Sequence, residues 1–209
     1  MKQETGRTDA PHAGKRVSIQ QSLDGRSFSM IGAEGSTTTE EKVEVELRTW
    51  QTMLVPVEVF DPDHAEALLA AAGMACTATQ QAVWTPRRED EEAVAVMAIG
   101  QECRQQLEER FGSEGQILYT TPLLHTPQGA ERYCVWLRAA DDILYIKVYD
   151  RGLRLAEAIP LNTEDDPLYL IGRLKQMFPL REFDLRIAGN RSRTLRKTLG
   201  RYFRSSTCE

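Results

Sequence analysis

Basic side chains concentrate near the end of the chain and form its clearest chemical signal. Positions 173–204 hold ten Arg or Lys and two acidic residues, a local charge of about +8, whereas the whole chain carries −5. Positions 192–203 are predicted to form an amphipathic helix with an apolar stripe of Leu195, Leu199, Tyr202 and Phe203. The remaining surface of this helix carries Arg193, Arg196, Lys197 and Arg201. Such a face can be simply solvated, or it can bind an acidic protein or RNA phosphates.

Residues that could perform acid–base, nucleophilic or metal chemistry are few and far apart. The three histidines, His12, His64 and His125, occupy a polar tail, a helix start and a proline-bearing linker. A hydrolase needs a nucleophile beside a positioned base and an orienting acid, and no Gly-x-Ser-x-Gly sequence is present. The four cysteines lack zinc-site spacing, and the glycine-rich nucleotide fingerprints are missing. We therefore predict no catalytic residue, no metal site and no cofactor.

The composition is that of an ordinary globular protein, with 41% apolar and 27% charged residues. No run approaches the roughly 18 apolar residues that span a bilayer, and the N-terminus is polar. These features predict a cytoplasmic protein without membrane insertion. The scattered cysteines are predicted to be reduced, with Cys76, Cys103 and Cys134 at least partly buried.

The elements that would position the basic helix are clearest in the second half. Strand-like runs at 132–139 and 143–149 flank an Asp141-Asp142 turn, and a third run follows at 153–159. The remaining predicted elements are a helix at 164–178, a strand at 183–188 and the helix at 192–203. Three antiparallel strands followed by an α-β-α run are the order of a ribonuclease-H-like half-domain.

The first half has a similar order of predicted elements. Strands near 17–19 and 28–30 are joined at Asp24-Gly25, which favours a two-residue type I′ turn, and alternation over 43–47 predicts a half-buried strand. A helix, a strand, a second helix and a strand follow. A duplicated α/β unit explains this order. The predicted division is a disordered tail at 1–14, a first ribonuclease-H-like lobe at 15–120, a linker at 121–131, a second such lobe at 132–204 and a tail at 205–209.

Short sequence patterns give a family resemblance. They are Val-Ser-Ile-Gln-Gln-Ser-Leu-Asp-Gly-Arg-Ser-Phe-Ser from Val17, then Trp50-x-x-x-Leu54-Val-Pro-x-x-x-Phe60, then the three-strand tail. Together they resemble the uncharacterised bacterial family described as domain of unknown function 3822, over nearly everything from 16 to 203. This resemblance implies no established activity.

A more distant similarity is to actin-like ATPases of the pilus-assembly and cell-division type. Those proteins carry an Asp-x-Gly phosphate loop in each half, an Ile-Pro-Leu/Ile-Gly-Gly element, and a Gly-Gly near the adenosine. Here 159–163 (Ile-Pro-Leu-Asn-Thr) and 187–190 (Ile-Ala-Gly-Asn) are similar to the last two elements. The resemblance implies a reduced actin-like ATPase fold of class α/β, with two ribonuclease-H-like lobes of mixed sheet plus helices. It also implies a vestigial cleft formed by Asn162, Thr163, Gly189 and Asn190.

The departures from that pattern argue against ATP hydrolysis. Gln20 and Ser22 stand where the first phosphate loop has its Asp and Gly, and the second turn, at 140–142, has no glycine. Glycine lets backbone N–H groups approach phosphate, and carboxylates hold magnesium. We therefore expect a protein that is not an enzyme.

The expected function is a non-catalytic adapter that binds an unidentified protein partner through Arg193, Arg196, Lys197 and Arg201. One alternative is an RNA- or ribosome-associated protein that uses the same basic helix. Another is a nucleotide-binding pseudo-ATPase that still uses the old cleft. The sequence leaves the oligomeric state open.

Overall fold

The computed structural model describes residues 15–31, 42–87, 92–112, 116–125, 127 and 132–209. The described residues form three β-sheets and four α-helices. The predicted tail at 1–14 lies outside them, as do 126 and 128–131 of the predicted linker. None of the helices in this part of the chain is long and apolar enough to cross a membrane.

The second half contains a five-stranded sheet in the order β10-β9-β8-β11-β12. Its strands are β8 (Cys134–Ala140), β9 (Ile143–Tyr149), β10 (Leu153–Pro160), β11 (Asp184–Gly189) and β12 (Ser205–Cys208). Strand β9 is antiparallel to both β8 and β10, whereas β8, β11 and β12 are mutually parallel. This is the strand order expected of a ribonuclease-H-like lobe.

Helices α3 (Asp166–Met177) and α4 (Ser192–Leu199) supply the crossovers that the parallel strands require. Both pack on one face of the five-stranded sheet through apolar residues at helical spacing. The buried helix residues in this core include Leu170, Ile171, Leu174, Leu195 and Leu199.

The prediction of a tail at 205–209 is wrong, because residues 205–208 form the edge strand β12. Buried Phe203 anchors the preceding turn, and Arg204 forms an ion pair with Asp184 at the start of β11. The sequence Ser-Ser-Thr-Cys has no apolar alternation, so neighbouring contacts, and not its own pattern, hold it as a strand.

The first half contains a four-stranded sheet in the order β2-β1-β3-β7. Its strands are β1 (Lys15–Gln21), β2 (Phe28–Ile31), β3 (Val43–Arg48) and β7 (Ile117–Thr120). Helix α2 (Gln101–Phe111) packs against this sheet through Cys103, Leu107 and Phe111. Strand β3 is parallel to β1, and the strand predicted at 43–47 is confirmed. It is more buried than the predicted half, because Glu46 is buried in addition to Val43, Val45 and Leu47.

A second, three-stranded antiparallel sheet is inserted between β3 and β7. Its strands are β4 (Thr52–Pro56), β5 (Gln80–Trp84) and β6 (Ala93–Gly100), in the order β4-β6-β5. Helix α1 (Ala65–Ala71) packs on it. The region predicted as one ribonuclease-H-like lobe therefore holds two sheets. The sequence pattern did not predict these two strands, since β4 is a short apolar run that ends at Pro56 and β5 begins with two glutamines.

The connection between β1 and β2 differs from the predicted two-residue turn. Gln21 pairs with Phe28, so residues 22–27 form a longer loop, in which Gly25 has a positive φ of 70°. The Asp24 carboxylate accepts hydrogen bonds from the Ser22 hydroxyl and the Arg26 amide, and these bonds lower its pKa. Asp24 therefore stabilises a loop through local bonds.

The two halves are joined by a buried apolar cluster and by specific hydrogen bonds. Tyr145 is fully buried, and its hydroxyl donates to the carbonyl of Thr49 at 3.1 Å. Leu123, from the predicted linker, is buried in the same cluster as Tyr145 and Trp136. The joint is therefore packed like a core, which fixes the residues that face it.

Candidate functional site

The basic surface, which we define as Arg193, Arg196, Lys197 and Arg201, lies on α4 and the turn that follows it. All four residues are exposed, because Leu195 and Leu199 turn the opposite face of α4 into the core. The four side chains line one shallow cavity of about 430 Å³, together with Gly200, Ser206 and Cys208. The structure therefore brings the predicted binding residues together, beside the edge strand β12.

Close contacts hold the basic surface against β12. The Arg196 Nε atom donates to the Ser206 hydroxyl at 3.4 Å, and a Cβ atom at Gly200 would lie 2.8 Å from the same oxygen. The Arg201 guanidinium stacks 4.9 Å from the centre of the Tyr202 ring, and Lys175 lies 5.2 Å from that ring. These contacts place the cations at defined positions along the sheet edge.

The predicted vestigial cleft residues form bonds within the chain. The backbone N–H groups of Asn162 and Thr163 both donate to Asp166 Oδ2, at 2.6 and 2.9 Å, and the Thr163 hydroxyl donates to Oδ1. These bonds lower the pKa of Asp166. A carboxylate of the chain thus binds the donors that an anionic ligand would need at 162–163.

Gly189 and Asn190 also have structural roles. At Gly189, φ is +93° and an added Cβ would lie 1.9 Å from the Ala139 carbonyl oxygen. The Asn190 side chain donates to Asp141 Oδ1 at 2.8 Å. Both residues therefore fix the end of β11 against the β8–β9 hairpin.

A cluster that the sequence did not reveal lies between the two halves. Glu46, with a side chain only 4% exposed, accepts bonds from Arg16 at 3.2 Å, Arg48 at 2.8 Å and Arg138 at 2.9 Å. Burial alone would raise the pKa of Glu46, but the three guanidinium groups outweigh it and hold the pKa below its usual value. These residues line a cavity of about 560 Å³. Arg138 comes from the second half, so the cluster also joins the lobes.

Lys147 is a second buried charge that the sequence analysis missed. It lies in the middle of β9, and its ammonium group donates to the His125 carbonyl at 2.8 Å. Burial lowers its pKa to about 8. The signal available in the sequence was one lysine within the apolar run Ile-Leu-Tyr-Ile-Lys-Val-Tyr.

The buried ammonium of Lys147 predicts a specific pH dependence of stability. Below pH 8 the folded and unfolded states both carry the proton, so the burial penalty is present in full. Above pH 8 the folded state loses this proton before the unfolded state does. The free energy of unfolding therefore rises with pH until the pH reaches the usual lysine pKa. The unfolding free energy of wild type, relative to Lys147→Met, is expected to rise by roughly 2 kcal/mol between about pH 7.5 and about pH 9.5.

The comparison with Lys147→Met is needed because the buried cysteine thiols change the stability with pH in the direction opposite to Lys147. Burial raises the pKa of Cys103 to about 12 and that of Cys134 to about 11, so the unfolded thiols ionise first and stability falls as the pH rises. Wild type and Lys147→Met both contain these thiols, so this loss of stability cancels in the comparison. Urea unfolding at several pH values measures the difference, and a difference independent of pH would contradict the burial of a charged Lys147.

Comparisons with known proteins bear on the fold. The chain matches no protein-family model and no curated protein. Its structure is similar to a crystal structure from Bacteroides thetaiotaomicron described as a protein with actin-like ATPase fold and unknown function. That match has 18% sequence identity and a TM-score of 0.67, and covers 98% of this chain and 94% of the other.

A second similarity is to the cytoplasmic domain of EpsL, described as an inner membrane component of the type II secretion system of Vibrio cholerae. It has 10% identity and a TM-score of 0.39, over 84% of this chain and 82% of that one. The prediction of an actin-like α/β fold is confirmed by the Bacteroides thetaiotaomicron structure, whereas membership of the family of domain of unknown function 3822 stays a prediction. The chain therefore has an actin-like ATPase fold.

Proposed function

We propose that this protein is a non-catalytic, actin-like-fold adapter that works in the cytoplasm and binds an acidic segment of a partner protein. The observation that supports this most is the convergence of the basic surface on one cavity whose lining residues include no Asp or Glu. Unopposed cations attract carboxylates and orient an acidic partner during association. Membership of the family of domain of unknown function 3822 belongs to the same proposal.

The sheet edge beside the basic surface supplies a second element of the proposed interface. Within the described residues, β12 pairs with β11 on one side and lies at the end of the sheet order. Its sequence Ser-Ser-Thr-Cys has no proline or charged residue of the kind that usually blocks an exposed edge. An extended acidic segment can add here as a further strand, with its carboxylates against the basic surface.

The hydrogen bonds within the vestigial cleft support the proposal that this protein is non-catalytic. Asp166 binds the N–H groups of Asn162 and Thr163, and Asp141 and Asp142 place two carboxylates at the turn of the second half. A nucleotide phosphate would have to displace the first carboxylate and approach the other two. The negative charges of these carboxylates oppose the approach of a phosphate group.

The same surface supports an RNA partner less well. Arg186 lies on β11 between Leu185 and Ile187, which face the helices, so its own side chain faces away from α4. The Tyr202 ring, which could stack on a base, is in contact with Arg201 and Lys175. Single-strand binders combine cations with available aromatic faces.

The surface through which we expect this protein to bind its partner is charged and not apolar. Among the described residues the exposed large apolar side chains are distributed over several elements, with Tyr169 and Met177 the pair that shares α3. Isolated exposed apolar residues are normal on a protein surface. The interface is therefore assigned to the cations and the β12 edge.

Replacing the four residues of the basic surface with Gln tests the proposal. Each exposed ion pair contributes roughly 0.2 to 1 kcal/mol, so binding of a fluorescent, glutamate-rich peptide is expected to weaken by about tenfold or more. Fluorescence anisotropy measures the binding, and thermal unfolding checks that the fold is unchanged.

A matched control replaces four other exposed cations with Gln: Arg26, Lys42, Arg87 and Arg154. This variant has the same net charge but keeps the basic surface, so it should bind the peptide like wild type. If peptide binding weakened equally in both variants, the effect would come from net charge and not from the basic surface. Tighter binding of a labelled oligouridine than of the peptide, lost only in the first variant, would favour the RNA alternative.

A further inference from the structure

The cavity beside the Glu46 cluster, which we call the arginine cavity, lies between the two halves of the molecule. Its volume is about 560 Å³, and the charged residues that line it include Arg16, Glu44, Glu46, Arg48 and Arg138. The first four alternate along β1 and β3, so they share the face of the four-stranded sheet that lies opposite to α2. Arg138 reaches the same cavity from β8 of the second half.

The arginine cavity is separate from the other candidate sites. The basic surface lies on α4 and lines a different cavity, so the two sites are independent. None of the four vestigial cleft residues, which all belong to the described part of the chain, lines the arginine cavity. A ligand bound there would therefore be neither the proposed adapter partner nor a nucleotide in the old cleft.

The guanidinium groups of the arginine cavity have more N–H donors than the protein uses. Each guanidinium carries five N–H groups. Within the described residues Arg138 bonds through Nη2 alone, to Glu46 Oε1 at 2.9 Å, which leaves its Nε and Nη1 atoms without a protein partner. Both oxygens of Glu46 are already occupied, since they accept from three arginines. The lining therefore has donors left for a ligand with acceptor oxygens.

A buried ammonium group adds positive charge next to the arginine cavity. Lys147 is 2% exposed, and its Nζ atom donates at 2.8 Å to the carbonyl of His125, which lines the cavity. Within the described residues no carboxylate pairs with this ammonium, whose bond goes to a neutral carbonyl. Because an unpaired buried charge is costly, a nearby anion would offset part of that cost. Lys147 therefore favours a negatively charged occupant.

His125 responds to the charges around the arginine cavity. Burial lowers its pKa, and although Glu209 raises it, three cations lower it further: Arg138, Lys147 and Arg16. Together, the lining residues and the groups that act on His125 comprise four cations and three carboxylates. One positive charge is therefore uncompensated at this junction of the two halves.

Oxyanions are the ligands that fit these groups. Guanidinium groups bind carboxylate and phosphate oxygens through short, charge-assisted hydrogen bonds. Ser18 lies on the same face of the sheet, and its hydroxyl accepts from Arg48 at 3.3 Å, which leaves its own proton for a ligand. We propose that the arginine cavity binds a small acid through its carboxylate or phosphoryl group.

Calorimetric titration with sodium phosphate and with sodium succinate, at constant ionic strength, tests this site. Wild type is expected to bind at least one of the two anions, and Arg138→Gln should bind it more weakly by about tenfold or more, because this variant loses the cation with unused donors. Glu46 keeps its ion pairs with Arg16 and Arg48 in that variant, so the fold should be retained. The matched control, Arg154→Gln, removes an exposed cation of β10 and should bind like wild type.

The two anions also separate the possible sources of the ligand. Tighter binding of phosphate would identify a phosphoryl compound, and tighter binding of succinate a carboxylic acid. Undetectable binding of both anions at millimolar concentration, or equal affinities in the three proteins, would overturn the proposal.

If Arg138→Gln fails to fold, the imidazole NMR signals of wild type provide the test. A bound anion should raise the pKa of His125 and shift its signals, whereas the signals of the exposed His64, far along the first half, should stay in place. Unchanged His125 signals at saturating phosphate and succinate would refute the site.

Discussion

Replacing Glu46 with alanine is expected to lower the free energy of unfolding by roughly 3 kcal/mol. The carboxylate is almost fully buried and lies between Arg16, Arg48 and Arg138, so its removal takes away the counter-charge that these three guanidinium groups share. Arg16 still pairs with Glu44. Since Arg138 belongs to the second half, the variant also loses an ionic contact between the lobes. Urea unfolding followed by tryptophan fluorescence measures the loss.

Glu44→Gln is the matched control for Glu46→Ala. Glu44 lies two residues away on the same strand, but its side chain is 35% exposed and pairs with the more exposed Arg16. Exposed pairs contribute little, so this variant should lose less than about 1 kcal/mol. Equal losses in the two variants would show that burial of Glu46 does not set its contribution.

The pH dependence provides an independent check on Glu46. Its folded pKa lies below the usual glutamate value, so its stabilising effect is present above that value and is lost as the pH falls through the folded pKa. The difference between wild type and Glu46→Gln should therefore shrink toward acidic pH. A difference that grows on acidification would contradict an ionised Glu46 in the folded state.

The second half could be predicted from the sequence because local patterns and tertiary packing agree there. The run Ile143–Tyr149 is a strand with the predicted bounds, and α3 and α4 carry their apolar residues at helical spacing. In the first half, β4 and β5 contain Thr and Gln residues that are buried by contacts with other elements. Neither strand has a clear period of two, because β4 is a three-residue apolar run between Thr52 and Pro56 and β5 begins with two glutamines.

The candidate sites also differ in whether the sequence could predict them. The basic surface could be predicted, because one short helix determines both its apolar stripe and its cations. The cluster around Glu46 could not, because alternation on β3 assigns Glu46 to a solvent face, and only contact with Arg138 of the second half covers it. Sites formed between lobes are properties of the assembled fold.

Substitution of Gly189 tests whether this glycine of the predicted vestigial cleft serves ligand binding or the fold. If it serves the fold, Gly189→Ala should lower the free energy of unfolding by roughly 3 kcal/mol or more, since a strained φ and an overpacked contact each cost about 1 to 3 kcal/mol. The added Cβ would collide with the Ala139 carbonyl, a backbone atom that cannot move without disturbing the pairing of β8 with β11.

Gly172→Ala is the control, because its Cβ would meet no atom within 4 Å and the residue lies inside α3. That substitution should stabilise the protein by about 0.5 to 1 kcal/mol through helix propensity. Urea unfolding of the two variants, with hydrogen exchange of the β11 amides, measures both effects. A Gly189→Ala protein as stable as wild type would remove the structural reason for this glycine and reopen the cleft as a ligand site. A large loss confined to Gly189→Ala would show that close packing of two strands is enough to require glycine there.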